Sequence, residues 1–233
     1  MPIGNKLGNS YKSQTEMKKI TVNMLAVSIM TLFMMVSCQE KSEYYRYENK
    51  IKEFDGTAYD YLLSQQDVYD SLLMVLDRLP PLKDTLMTKR VTLFAITNKS
   101  FDNAIKDLNI RRAISNKQPI YLRDIDLQSL DTIMCRYIIN GRLTTDSVEK
   151  LVDGMFIPSL KYNYKMHTQY RQLNASGFVN GGQQQLVFTD PNESIFERYW
   201  ESVPTNSVNI SARNSMIHVL APAHNFGFNK LGR

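Results

Sequence analysis

Cysteine, histidine and tryptophan are scarce in this 233-residue chain, at two, three and one residues. Two cysteines, Cys38 and Cys135, cannot build a disulfide framework or a cysteine-based zinc site. Three isolated histidines, His167, His218 and His224, offer no histidine-rich metal site. Catalytic motifs with a recognisable spacing are missing too. There is no Gly-x-Ser-x-Gly elbow, no glycine-rich phosphate loop and no His-Glu-x-x-His. No metal, cofactor or catalytic set is expected. A basic stripe is also lacking. The formal charge of +5 rests largely on residues 1–37, where Lys6, Lys12, Lys18 and Lys19 face only Glu16. The other 196 residues carry 24 basic and 22 acidic side chains, so nucleic acid is not an expected partner.

What is present is globular. Apolar residues make up 43% and charged residues 22%, which excludes a wholly disordered or collagen-like chain. The length suits one domain of ordinary size. Near the start, Met17-Lys18-Lys19 precedes an apolar run from Ile20 to Val36 that ends in Met35-Val36-Ser37-Cys38. A cationic start, an apolar middle and a small residue at a cleavage point describe a secretory signal. The run has 17 residues, short of the roughly 20 that a membrane span needs. Met-Val-Ser-Cys resembles the lipobox of bacterial lipoproteins, which implies cleavage before Cys38 and lipid on its sulfur. Acyl chains then hold the protein at the membrane, at about 0.8 kcal/mol per buried methylene. The expected order is a leader over 1–37, a lipidated tether over 38–53 and one domain over 54–233. Within the leader, 17–37 is the signal and 1–16 a start-site artefact. Cys135, left alone, is expected to be a small buried hydrophobe.

In the mature chain, Val68, Leu72, Val75 and Leu79 recur at helical spacing, which predicts a helix over 57–79 stopped by Pro80-Pro81. Residues 82–89 read as a loop or short helix. Val91 to Ile96 is a buried strand, with Thr97 to Ser100 capping a short helix over 101–108. Residues 109–125 show poor periodicity. Asp126 caps a helix whose stripe is Leu127, Leu130, Ile133, Met134, Tyr137 and Ile138, with a stop at Asn140-Gly141. Another short helix is expected over 146–152. Beyond it, 155–164, 170–179, 185–189, 208–211 and 216–220 read as strands, with a hairpin turn at Gly181-Gly182. Helices first and strands second give an α+β class.

Several separated segments resemble the fasciclin family. Thr92-Leu93-Phe94-Ala95-Ile96-Thr97-Asn98-Lys99-Ser100-Phe101 is similar to its first motif, a strand running into a capped helix. Asn214-Ser215-Met216-Ile217-His218-Val219-Leu220 is similar to its second. The helix over 127–138 stands where the family carries a Tyr-His segment, and Leu151 to Gly154 with Pro158-Ser159-Leu160 resembles its Leu-x-x-Gly stretch. The match covers residues 54–221. Three departures stand out: Ile138 follows Tyr137 where the family has His, Ser215 replaces Gly, and the loop over 190–205 is long. The resemblance implies a single wedge-shaped α+β domain and an adhesion or interaction role without a catalytic set. It is also similar to lipid-anchored fasciclin proteins of bacterial glycan-uptake systems. That likeness implies an outer-membrane or cell-surface location and an envelope or extracellular protein as partner, with a glycan as the other candidate.

Candidate chemistry is thin. His218 lies between Ile217 and Val219 on a strand and reads as structural; His167 and His224 sit in polar surroundings and read as solvated. Asp124 with Asp126, and Asp55 with Asp60, are carboxylate pairs of the kind a glycosidase uses, but such pairs are ordinary on soluble surfaces. Asp190-Pro191-Asn192-Glu193 reads as a turn. The best binding candidate is the segment Ile195 to Trp200. On a helix, Phe196, Tyr199 and Trp200 fall on one face. That face either covers a sheet edge or stands exposed as a platform for a partner protein or a sugar ring.

Overall fold

A computed structural model describes residues 52–174 and 182–232. The leader, Cys38, the tether up to residue 51, Gly181 and the expected strand beyond residue 174 lie outside the described residues.

The first half is helical. After β1 (Glu53–Phe54), α1 (Ala58–Ser64) starts in a capping box. The Thr57 hydroxyl accepts from the Asp60 amide, and the Asp60 carboxylate accepts from the Thr57 amide at 2.8 Å. That backbone bond holds the Asp60 carboxyl below its usual value. The single helix expected over 57–79 is two. Asp67 takes a φ of 62°, and α2 (Asp70–Arg78) starts afresh. Its cap arrives from elsewhere: the Asn98 side chain accepts from the Ser71 amide at 2.8 Å and donates to Asp67 O and to the Asp70 carboxylate. Pro80 and Pro81 end α2 and also begin α3 (Pro80–Thr88), in first-turn positions where their missing amides cost nothing.

The strand expected over 91–96 is β2 (Val91–Ala95), buried at every residue. It runs into α4 (Asn98–Ile114), six residues longer at its end than periodicity indicated. The extra turns are held from the C-terminus, where Arg111 donates to Leu231 O at 2.9 Å. Asp126 caps α5 (Leu127–Met134) through the Ser129 amide at 2.8 Å. The stripe expected to continue to Ile138 breaks there. Cys135–Tyr137 forms a 3-10 turn, and Ile138–Asn140 is strand β3. Asn140-Gly141 thus ends a strand, not a helix. After α6 (Thr145–Glu149) come β4 (Met155–Pro158), β5 (Lys165–Gln172), β6 (Gln184–Asp190), β7 (Glu201–Ala212) and β8 (Ser215–Leu220).

All the strands join one sheet in the order β3-β2-β8-β7-β6-β5-β4, with β1 added parallel to β7. Neighbours are antiparallel except β2 and β8, which run parallel with Phe94 opposite His218. The two segments that carry the fasciclin resemblance are therefore side by side. The sheet nearly closes: Ile139 bridges Ser159 just past β4, and the Leu160 amide donates to Ile138 O at 2.7 Å. The architecture is α+β, helical in its first half and strand-rich in its second.

The core is aromatic. Phe94 and Phe188 stack with centroids 3.9 Å apart. The final segment, residues 221–232, inserts Phe226, Phe228 and Leu231 as buried plugs. Tyr137 anchors it. Its hydroxyl accepts from the Gly227 amide at 2.8 Å, which leaves the O–H to donate to His224 Nε2 at 2.7 Å. Gly227 takes a φ of 84°, a conformation that glycine adopts without strain. Tyr137→Phe leaves two buried polar groups unpaired and is expected to cost about 1–3 kcal/mol. Urea unfolding measures it; a loss under about 0.5 kcal/mol, below the cost of a buried unpaired group, would show that the tail does not depend on this hydroxyl.

Candidate functional site

Two connections on one side of the sheet face each other across a cleft of about 1120 Å³. One is the turn between β4 and β5. Tyr162 and Asn163 adopt positive φ there, and Ser159 closes the turn by accepting from the Tyr164 amide and donating to Lys161 O. The other is the connection from β6 to β7. Asp190 accepts from the Asn192 amide, Asn192 and Glu193 adopt positive φ, and the Asn192 side chain donates to Tyr199 O at 2.6 Å. Trp200 Nε1 donates to Ser194 O at 2.8 Å. The loop is thus fastened by its own hydrogen bonds, and its length produces a shaped element rather than a slack one.

Aromatic rings wall the cleft: Phe156, Tyr162, Tyr164 and Trp200. Trp200 meets Phe156 edge-on at 5.8 Å and His167 at 5.0 Å. The floor is charged. Arg136, nine-tenths buried, pairs through Nη1 with the Asp190 carboxylate, which also accepts from Lys230 Nζ at 2.7 Å. The guanidinium lies 4.0 Å over the Tyr164 ring, a cation–π contact that fixes its plane. Arg136 Nε is buried with no hydrogen-bond partner among the described residues.

Of the three expected binding residues, only Trp200 lines this cleft. The helical face does not form. Glu197–Tyr199 is one 3-10 turn, after which Trp200 is extended at ψ 140°. Phe196 and Tyr199 stand more than half exposed on the outer side, ring centroids 6.4 Å apart, with the Arg198 guanidinium over both. Ile195 beside them is 86% exposed. The expected site Cys38 lies outside the described residues. Arg136 and Asp190 went unread as site residues, although a lone arginine inside the apolar run Ile133 to Ile138 was the visible signal.

The other candidates serve structure. Asp60, Asp124 and Asp126 each accept from a backbone amide at a turn or helix start, and Asp55 is an exposed partner of Arg213. Neither carboxylate pair is free for acid–base work. His167 and His224 are buried, not solvated: His167 Nε2 is 2.8 Å from Asp153 O, and His224 is held by Tyr137. His218 is fully buried and satisfied, accepting from the Asn209 amide and donating to Leu143 O at 2.9 Å. Cys135 is buried with its thiol pushed up to about 12 by desolvation, so it is a poor nucleophile. Among the described residues, no group of three or more His, Cys, Asp or Glu side chains could hold a metal ion. Aromatic faces and fixed donors and acceptors make the cleft an arrangement for binding.

Sequence comparison found no matching family model and no matching curated protein. Among solved structures, the chain is similar to a FAS1 domain pair from the insect cell adhesion molecule Fasciclin I, at 13% identity and a TM-score of 0.47. The likeness covers 71% of this chain and 49% of that one, so the chain spans about half of the structure it matches.

Burial sets an acid limit on the fold. It holds His218 down to about 4 and His224 down to about 3. The unfolded chain charges both near pH 6.5, so their contribution is whole above that value and is lost as pH falls toward the folded values. Each is expected to cost about 1.4 kcal/mol per pH unit through that interval. Urea unfolding from pH 7 to pH 4.5 should show the decline, and His224→Gln should make it shallower. An unchanged unfolding free energy across this range would contradict the assignment.

Proposed function

We propose that this chain is a non-catalytic recognition domain, held at the cell envelope by lipid on Cys38, that engages an envelope or extracellular protein in adhesion or as an accessory of a glycan-uptake complex. The observation that carries the reading is the tip of the β6–β7 loop, where Ile195, Phe196 and Tyr199 are all more than half exposed. Large apolar side chains in water are unfavourable unless a partner covers them, and tyrosine and phenylalanine supply contact area at little entropic cost. The loop's internal hydrogen bonds support the same reading, because a shape set in advance loses less freedom on binding. The lipobox resemblance supports the anchor and the fasciclin resemblance the role.

Cross-linking of intact native cells, followed by purification of the full chain from the membrane fraction, tests this. The expected result is co-purification of an envelope protein that is lost in Phe196→Ala/Tyr199→Ala, while the variant melts within about 2 °C of the parent, as surface truncations do. Cys38→Ala should move the chain from the membrane to the soluble fraction. Recovery of the same proteins with the double variant would overturn the loop tip as the contact, and membrane retention of Cys38→Ala would overturn the lipid anchor.

A further inference from the structure

We propose that the cleft between the β4–β5 turn and the β6–β7 loop is a binding site for an uncharged glycan. The site shares Ile195 with the loop tip but neither of the tip's rings, so variants at Phe156 and at Phe196 test the two separately. Three observations carry it. The first is the disposition of the rings. Phe156 is 55% exposed beside Trp200, and Tyr164, half-buried, lines the same cleft. The Trp200 N–H is already spent on Ser194 O, so what it offers a ligand is its aromatic surface. A pyranose ring presents an apolar face of C–H groups that packs on such surfaces.

The second observation is the Arg136 guanidinium. Its plane is fixed by Tyr164 below and Asp190 at Nη1, and Nε has no acceptor among the described residues. A buried polar group without a partner is uncommon, and here it belongs to a side chain that lines the cleft. That nitrogen is itself enclosed, so what the cleft presents of Arg136 is the remaining edge of its guanidinium, which a ligand hydroxyl meets as an acceptor. The third is charge balance. Arg136 and Lys165 line the cleft together with Asp190, Glu193 and Glu197, and Lys230 reaches Asp190 from outside the lining, so both signs are present. Glu193 and Glu197 line the loop side and oppose a net-anionic ligand. Fixed donors and fixed acceptors together match hydroxyl groups, which both donate and accept. The volume, at about 1120 Å³, exceeds the roughly 300–1,000 Å³ of sites for single small molecules and accommodates more than one sugar ring.

Trp200 is the chain's single tryptophan, so its emission reports the cleft directly. The test titrates the full chain in detergent with uncharged oligosaccharides (maltohexaose, cellohexaose, xylohexaose, mannohexaose and laminarihexaose) while emission and heat are followed. Oligogalacturonate serves as the acidic counterpart. The expected result is a saturable change with at least one uncharged oligosaccharide and the same Kd by calorimetry. Phe156→Ala, a change at an exposed position, should weaken binding about tenfold. Trp200→Phe, read by calorimetry, should weaken it less. Phe196→Ala should leave it unchanged. The proposal is overturned if no uncharged oligosaccharide binds at about 10 mM, a threshold weaker than millimolar recognition. It is equally overturned if only oligogalacturonate binds, or if Phe156→Ala and Trp200→Phe bind as the parent does. Loss of sugar binding in Phe196→Ala would relocate the site to the loop tip.

Discussion

The Asp190 carboxylate is shared by two cations that come from well-separated parts of the chain. Arg136 comes from the turn after α5, and Lys230 comes from the last residues of the chain. Asp190 itself ends β6. One buried anion therefore ties the helical half, the sheet and the C-terminal segment at a single point. Such a cluster adds little net stability over an apolar core, because desolvation offsets the attraction. Its grip is conditional: any member left without the others is a buried charge with no partner, which is costly. The cluster thus favours the one arrangement in which all three elements arrive together. It also sets the floor of the cleft, since Arg136 is held flat over Tyr164 by the same pair.

The chain around this floor is arranged in two polarities. Inward, Tyr137 collects the amide of Gly227 and the ring of His224, so the tail closes over Phe188 and its neighbours. Outward, the β6–β7 connection turns sharply at Asn192 and Glu193 and sends Trp200 toward Phe156 while leaving Phe196 and Tyr199 in solvent. A single loop therefore contributes to two different surfaces, a cleft wall and an exposed tip. The division follows from one 3-10 turn, whose three residues cannot keep i and i+4 on one face as an α-helix would. The antiparallel run β4-β5-β6-β7 makes the site possible, because it puts the β4–β5 turn and the β6–β7 loop at the same end of the sheet.

Local pattern was informative where an element is decided locally. The fully apolar, β-branched run at Val91 reads as a buried strand and is one. Thr57, Asp126 and the proline pair act at helix ends as their chemistry dictates, although the prolines open a helix as well as close one. Where distant residues decide, periodicity misled. The break between α1 and α2 depends on Asn98, and the last turns of α4 depend on Leu231. The stripe through Ile138 looked helical because strand β3 follows the 3-10 turn directly, so buried residues continue without a polar gap. His167 and His224 have polar sequence neighbours, yet both rings are enclosed by residues remote in the chain.

By itself the sequence determined the α+β class, the concentration of helices in the first half and strands in the second, and the burial of Cys135, since each depends on composition or on spacing within a few residues. It also marked the segment 195–200 as aromatic. Only the tertiary structure decided which of those rings share a surface, and that Arg136, Asp190 and Lys230 meet beneath a cleft. The physical reason is range. Hydrophobic periodicity and capping act over one or two turns of chain. The partners of a buried charge, and the wall a ring faces, are chosen by the closure of the whole sheet.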